Sequence, residues 1–148
     1  MCCRMSSPSP SIETREEVMF FDTDIGGVVH NIAYLRFIET ARTRLAGQLG
    51  MSLKEMAATQ LFPVVVRTEI DYRKPATLGD HLVIRGHMDT FNRTRFWCAF
   101  EIRLVDDPER LLITCRQCLA MVQMPQGKPT ALPKSWLTDF ADHYQPKR

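Results

Sequence analysis

Two aspartates, Asp22 and Asp24, stand one residue apart, just ahead of the pair Gly26 and Gly27, and a long helical pattern opens shortly afterwards at Asn31. The chemistry open to such a set is attack on a polarised acyl group. A carboxylate can act as a nucleophile or as a general base on water. The first N–H groups of a helix have no intrahelical partner and carry partial positive charge. They can therefore polarise a carbonyl and stabilise the oxyanion that forms on it. Glycines at Gly26 and Gly27 allow backbone to approach a ligand closely. Each part alone has an ordinary structural explanation, since Asp is favoured in loops through bonds to nearby backbone. In this order the parts point to cleavage of an acyl bond.

The elements that must position them follow from periodicity. Thr14–Phe21 reads as a first strand, with Val18 and Phe20 on one face. Asn31–Leu49 is the one long helical pattern, with Ile32, Leu35, Ile38, Ala41, Leu45 and Leu49 at three- and four-residue steps. Asn31 is its expected N-cap and Gly50 its stop. Ser52 and Glu55 form a capping box that opens a short second helix ending near Ala58. Four strands follow: Phe62–Arg73, His81–Thr90, Thr94–Val105 and Arg110–Met124. In the first of these, Val64, Val66, Thr68, Ile70 and Tyr72 should share a face, opposite Arg67, Glu69, Asp71 and Arg73. Phe96, Cys98, Phe100, Ile102 and Leu104 form a second period-two stripe. Pro125–Pro129 ends the last strand, and Ser135–Tyr144 reads as a terminal helix. Short connections favour antiparallel neighbours. The expectation is an α+β fold in which the long helix packs on an antiparallel five-stranded sheet. The sheet edges need cover, which predicts a symmetric oligomer, a homodimer or homotetramer.

Composition narrows the class. The 148 residues are 45% hydrophobic and 24% charged, as in a soluble globular chain, and suit one domain over residues 13–148. A net charge of +2 with scattered arginines gives no nucleic-acid footprint. No apolar run approaches the roughly 18 residues of a membrane span. Residues 1–12, rich in Ser and Pro, read as a disordered tail without a secretory signal, which predicts a cytoplasmic location. Cys115 and Cys118 form a C-x-x-C inside a strand, where residues three apart face opposite sides. That argues against a shared metal, and His81, His87 and His143 show no ligand spacing.

The stretch from Phe20 to Arg42, FFDTDIGGVVHNIAYLRFIETAR, resembles the signature of the hotdog-fold acyl-CoA thioesterases, the 4-hydroxybenzoyl-CoA thioesterase-like family. It is most similar to the bacterial branch associated with the Tol–Pal system, which carries a near-identical D-T-D-x-G-G-V-V followed by a Tyr, here Tyr34, and an E-x-A-R-T, here Glu39 to Thr43. Similarity continues through Val65–Arg67, Tyr72–Pro75 and Ala131–Ser135. The resemblance implies a hotdog fold, a sheet wrapped around a central helix, and hydrolysis of an acyl-CoA without metal or organic cofactor. It implies that Asp24 is the catalytic carboxylate, that the backbone N–H of Asn31 polarises the carbonyl, and that Asp22 holds the loop. Asp22, with Gly27 and Tyr34 of the same motif, is a candidate substrate-binding residue. The branch usually has Tyr-His where this chain has His30 and Asn31. One position on a helix is a rotation of about 100°, so His30 is displaced from the place that histidine occupies in relatives, but it is kept with Asp24 and Asn31 as a candidate catalytic residue.

Further candidates are Thr68, which could line an acyl pocket or orient Asp24 across a subunit boundary, and Arg93 and Arg95, whose forked guanidiniums suit the phosphates of CoA. The competing functional class is a hotdog module that binds acyl-CoA or an acyl carrier without cleaving it.

Overall fold

A computed structural model describes residues 9–146. The chain order is β1 (Ser11–Glu17), a 3-10 turn (Phe20–Asp22), α1 (Asn31–Gln48), α2 (Leu53–Thr59), β2 (Leu61–Tyr72), β3 (His81–Phe91), β4 (Arg95–Leu104), β5 (Leu111–Gln123), β6 (Lys128–Thr130), α3 (Trp136–Asp139) and a 3-10 turn (Ala141–His143). All pairings between strands are antiparallel, in the spatial order β1-β3-β4-β5-β2, and β6 pairs with the end of β5. This is the α+β hotdog arrangement, with a three-residue sixth strand added to the five expected.

The core forms where two periodicities meet. On α1, Ala33, Tyr34, Phe37, Ile38, Ala41 and Leu45 are buried at three- and four-residue steps. They join one apolar cluster with Phe96, Cys98, Phe100 and Ile102 of β4 and Ile113, Cys115 and Leu119 of β5. Gly86 of β3 is required here: a Cβ on it would lie 2.6 Å from the Phe100 ring. Cys118 pairs with Trp97, the neighbour of core-facing Phe96, and lies outside the cluster that holds Cys115. The C-x-x-C thus spans both faces of the sheet, and Cys98, Cys115 and Cys118 are free thiols. No described helix is long and apolar enough to cross a membrane.

Several expectations are corrected. The first strand ends at Glu17, not Phe21. Asp22 N–H and Thr23 N–H bond back to the carbonyls of Met19 and Phe20, so the chain turns where its alternation blurs. The strand also begins at Ser11, inside the stretch read as a tail, because Ser11 and Ile12 pair with His87 and Gly86 of β3. Residues 1–8 of that stretch lie outside the described residues. In β2 the register shifts between Val65 and Arg67, which oppose Leu119 and Cys118. Val66 is therefore the extra residue of a bulge, and the core-side set becomes Pro63, Val65, Thr68, Ile70 and Tyr72. The C-terminal helix is a single turn. Phe140 departs from helical dihedrals at φ −128° and ψ 35°, and the segment is held by its aromatic contacts.

Those contacts set a prediction. Trp136 is buried edge-on against Phe91, Phe96 and Phe140, at centroid distances of 5.6, 5.3 and 5.7 Å. Trp136→Ala should cost about 3–5 kcal/mol of stability in urea unfolding, since it empties the contact that closes this end of the core.

Candidate active site

The carboxylate of interest sits on a tight hairpin. Thr23 and Val29 form an antiparallel bridge, Asp24 N–H donates to the Val28 carbonyl (2.9 Å), and Gly27 N–H donates to the Asp24 carbonyl (3.0 Å). Gly27 closes the turn at φ +77°, a left-handed conformation that costs glycine little. Gly26 has a different requirement. Its N–H donates to Asp24 Oδ1 at 2.8 Å, and a Cβ on it would stand 3.2 Å from that same oxygen. The glycine pair thus serves one turn and one close approach to a carboxylate. Asp24 is exposed, and its Oδ2 has no hydrogen-bond partner among the described residues.

The hairpin is docked on the chain between β2 and β3. Val28 bridges Thr77, Val29 N–H donates to the Ala76 carbonyl, and Ala76 N–H donates to the Tyr34 hydroxyl at 3.0 Å. Tyr34 is 3% exposed, and burial pushes its phenol above the ordinary tyrosine range. Its hydroxyl therefore works as a neutral anchor, while its ring lines a cavity of about 230 Å³ shared with Val29, Asn31, Tyr72, Arg73 and Lys74.

The residue before the hairpin is buried. Asp22 is 1% exposed, and its Oδ2 accepts from Met19 N–H at 3.0 Å. Its Oδ1 accepts from Arg36 Nη2 at 2.8 Å, and its carbonyl accepts from His30 N–H at 2.9 Å. Three elements meet on this one residue.

His30, not Asn31, is the N-cap of α1. Its Nδ1 accepts from Ala33 N–H at 3.1 Å, which assigns the proton to Nε2, which then donates to the Phe21 carbonyl at 3.2 Å. The imidazole takes the place that a shorter Asn or Ser side chain usually fills. Asn31 becomes the first helical residue, and its N–H and that of Ile32 have no acceptor among the described residues. Tyr72 steadies this turn by donating its hydroxyl to the Asn31 carbonyl at 3.3 Å. The hairpin thus carries a carboxylate with one free oxygen, and the chain runs from it into a helix start whose first two amides are free.

The other candidates lie elsewhere in the chain. Thr68 faces the core side of β2, where its hydroxyl accepts from Gln117 Nε2 at 3.3 Å. Gln117 Oε1 in turn accepts from Arg42 Nη1 at 2.6 Å. This chain ties α1 to the edge strand, and burial holds the Arg42 guanidinium below its ordinary pKa. Arg93 and Arg95 flank the β3–β4 turn that Asn92 Oδ1 organises. That turn is at the far end of the 11-residue β3, roughly 35 Å along the strand from the hairpin. Within one chain they do not join Asp24. Arg36 was not visible from sequence, because its partner Asp22 lies across a loop and no helical spacing links them. The thiols are removed from consideration as nucleophiles: burial pushes Cys98 up to about 12 and Cys115 to about 11.

Three variants separate positioning from chemistry. His30→Asn keeps a cap acceptor and should retain the fold and the site, whereas His30→Ala should lose about 1 kcal/mol in urea unfolding. Retained activity in His30→Asn would place the imidazole outside the reaction. Gly26→Ala should displace the Asp24 carboxylate while the chain stays folded, read as lost turnover with an unchanged circular dichroism spectrum.

Comparison with known proteins covers most of the chain. Residues 18–140 match the model of the thioesterase-like superfamily. The acyl-CoA thioester hydrolase YbgC of Escherichia coli O157:H7 is 32% identical over 123 residues, covering 83% of this chain and 90% of the relative. A 1,4-dihydroxy-2-naphthoyl-CoA hydrolase of Synechocystis is 27% identical over 127 residues, covering 85% and 91%. The crystal structure of Slr0204, a 1,4-dihydroxy-2-naphthoyl-CoA thioesterase from Synechocystis, superposes with a TM-score of 0.75 at 25% identity, over 89% of this chain and 96% of that one. With an antiparallel sheet around one long helix and a family match over most of its length, this chain belongs to the thioesterase-like hotdog superfamily.

Proposed function

We propose that the protein is an acyl-CoA thioesterase, cleaving a thioester to free CoA and a carboxylic acid. The observation that carries the reading is a free Asp24 oxygen on the hairpin that leads directly into the unpaired Asn31 amide, with the second carboxylate, Asp22, already paired to Arg36. In this reading the thioester carbonyl oxygen accepts from Asn31 N–H, which stabilises negative charge as the carbonyl carbon becomes tetrahedral. Asp24 supplies the other half by one of two routes. It attacks the carbonyl carbon, the C–S bond breaks, CoA leaves as thiolate, and water hydrolyses the acyl-aspartyl anhydride. Alternatively it takes a proton from water, the hydroxide adds, and the same C–S bond breaks with the proton passing to sulfur. His30 is committed to its cap in either route. The names of relatives that act on acyl-CoA thioesters support this substrate class. The three cysteines among the described residues are free thiols, which suits a reducing compartment such as the cytoplasm.

The same reading calls for two subunits. Among the described residues β2 is an edge strand with no partner on its outer side, and Val64, Val65 and Val66 are exposed along it. Such an edge is a template for a second strand. Antiparallel pairing of two β2 strands about a two-fold axis would set one subunit's Leu61 end beside the other's Tyr72 end. The partner's β3–β4 turn, with its arginines, would then approach the hairpin that its own chain cannot reach.

Two measurements test these points. Thiol release from short, long and aromatic acyl-CoAs should occur with wild type and fall by about 10²–10⁴-fold in Asp24→Asn. Tight acyl-CoA binding without thiol release by wild type would instead favour the non-catalytic module. In light scattering the wild type should be dimeric or tetrameric, and Val64→Lys with Val66→Lys should shift it toward monomer with loss of turnover.

A further inference from the structure

Among the described residues, Arg36 makes the one ion pair in which an acidic partner is almost wholly buried. Its Nη2 meets Asp22 Oδ1 at 2.8 Å, with the aspartate side chain 1% exposed and the arginine side chain 46% exposed. The guanidinium lies over the Phe37 ring at 4.7 Å and near the Phe21 ring at 5.7 Å, so its plane is fixed by aromatic contacts from the helix and from the loop. Asp22 is two residues before Asp24, and Arg36 is on the second turn of the helix whose first residue is Asn31. The remaining bonds of Asp22 go to Met19 N–H and, through its carbonyl, to His30 N–H.

From this geometry we infer that Arg36 is a positioning residue for the thioesterase site: it acts through Asp22 to fix the spacing between the Asp24 carboxylate and the Asn31 amide, and it neutralises the second carboxylate next to the reaction. The inference rests on the proposed thioesterase reading. A buried carboxylate without a cation is costly, and the loop would move to hydrate it. The hairpin and the helix start are joined only through short backbone links, so that movement is transmitted to both reacting partners. A shift of about 1 Å in a pre-positioned site costs up to roughly 100-fold in rate. Lysine preserves the charge but not the planar stacking on Phe21 and Phe37.

The test is steady-state kinetics on Arg36→Gln, Arg36→Lys, Asp22→Asn and the double variant Asp22→Asn/Arg36→Gln, with Asp24→Asn as the inactive control. Arg36→Gln should lose about 10- to 100-fold in kcat with KM changed less than about threefold. Arg36→Lys should recover part of kcat. The double variant should be no slower than the worse single one, because both substitutions remove the same pair. A multiplicative loss in the double variant, or a raised KM with unchanged kcat, would overturn the inference; the second result would make Arg36 a direct substrate contact. Amide hydrogen exchange without substrate keeps the test independent of the thioesterase reading. Exchange at His30 N–H should accelerate in Arg36→Gln even if wild type cleaves no acyl-CoA, and unchanged protection there would remove the basis for positioning.

Discussion

The site depends on burying one carboxylate. Asp22 is excluded from water: its carboxylate accepts from a guanidinium and from a backbone N–H of the segment before the turn, and its main-chain carbonyl accepts from the N–H of His30, the cap of helix α1. An ionised group in that position is tolerated only when its oxygens are satisfied. Satisfying them fixes the end of β1, the hairpin and the helix relative to one another. Asp24 can then stay exposed and only singly bonded, because its neighbour carries the structural duty. Two aspartates one residue apart thus have opposite environments, one dry and paired, the other wet and free.

The helix start is the second half of the same arrangement. A cap normally satisfies the amides of the first turn. Here His30 satisfies Ala33 and leaves the Asn31 and Ile32 amides open. The imidazole bridges the Phe21 carbonyl and the Ala33 amide, so the cap is itself anchored to the turn that precedes the hairpin. Below it the helix is held by apolar contact with β4 and β5, and by the polar chain from Arg42 through Gln117 to Thr68 at the edge strand. The sheet therefore supports the site from beneath, and the loop shapes it from the side.

Much of this was legible in the sequence. The stripe from Phe96 to Ile102, the capping box at Ser52 and Glu55, and the helix from Asn31 depend on local periodicity and were read correctly. The Asp–Gly-Gly–helix order was readable too, since each part has a local signal. What escaped depended on partners distant in sequence. The bulge at Val66 exists because β5 fixes the pairing on both sides of it, and nothing in a run of valines marks it. His30 became the cap because the Phe21 carbonyl lies within reach of its second nitrogen, a contact across a loop. Arg36 reads as an exposed helix residue until Asp22 is placed beneath it. Trp136 draws the C-terminal segment onto Phe91 and Phe96, which limits a helix-like pattern to one turn.

Both ends of the described chain meet at one pole of the sheet. Pro10 accepts from Met88 N–H, Gln145 N–H donates to the Phe91 carbonyl, and Ser9 Oγ lies 3.2 Å from His143 Nε2. The Asp24 hairpin is at the other pole, against the segment that leads into β3. Within a protomer the described ends, Ser9 and Pro146, therefore leave the mouth of its own site unobstructed. In a pair joined through β2 the same pole of each subunit would instead lie toward the other's hairpin, so bulk carried there would crowd the neighbour's site and not its own.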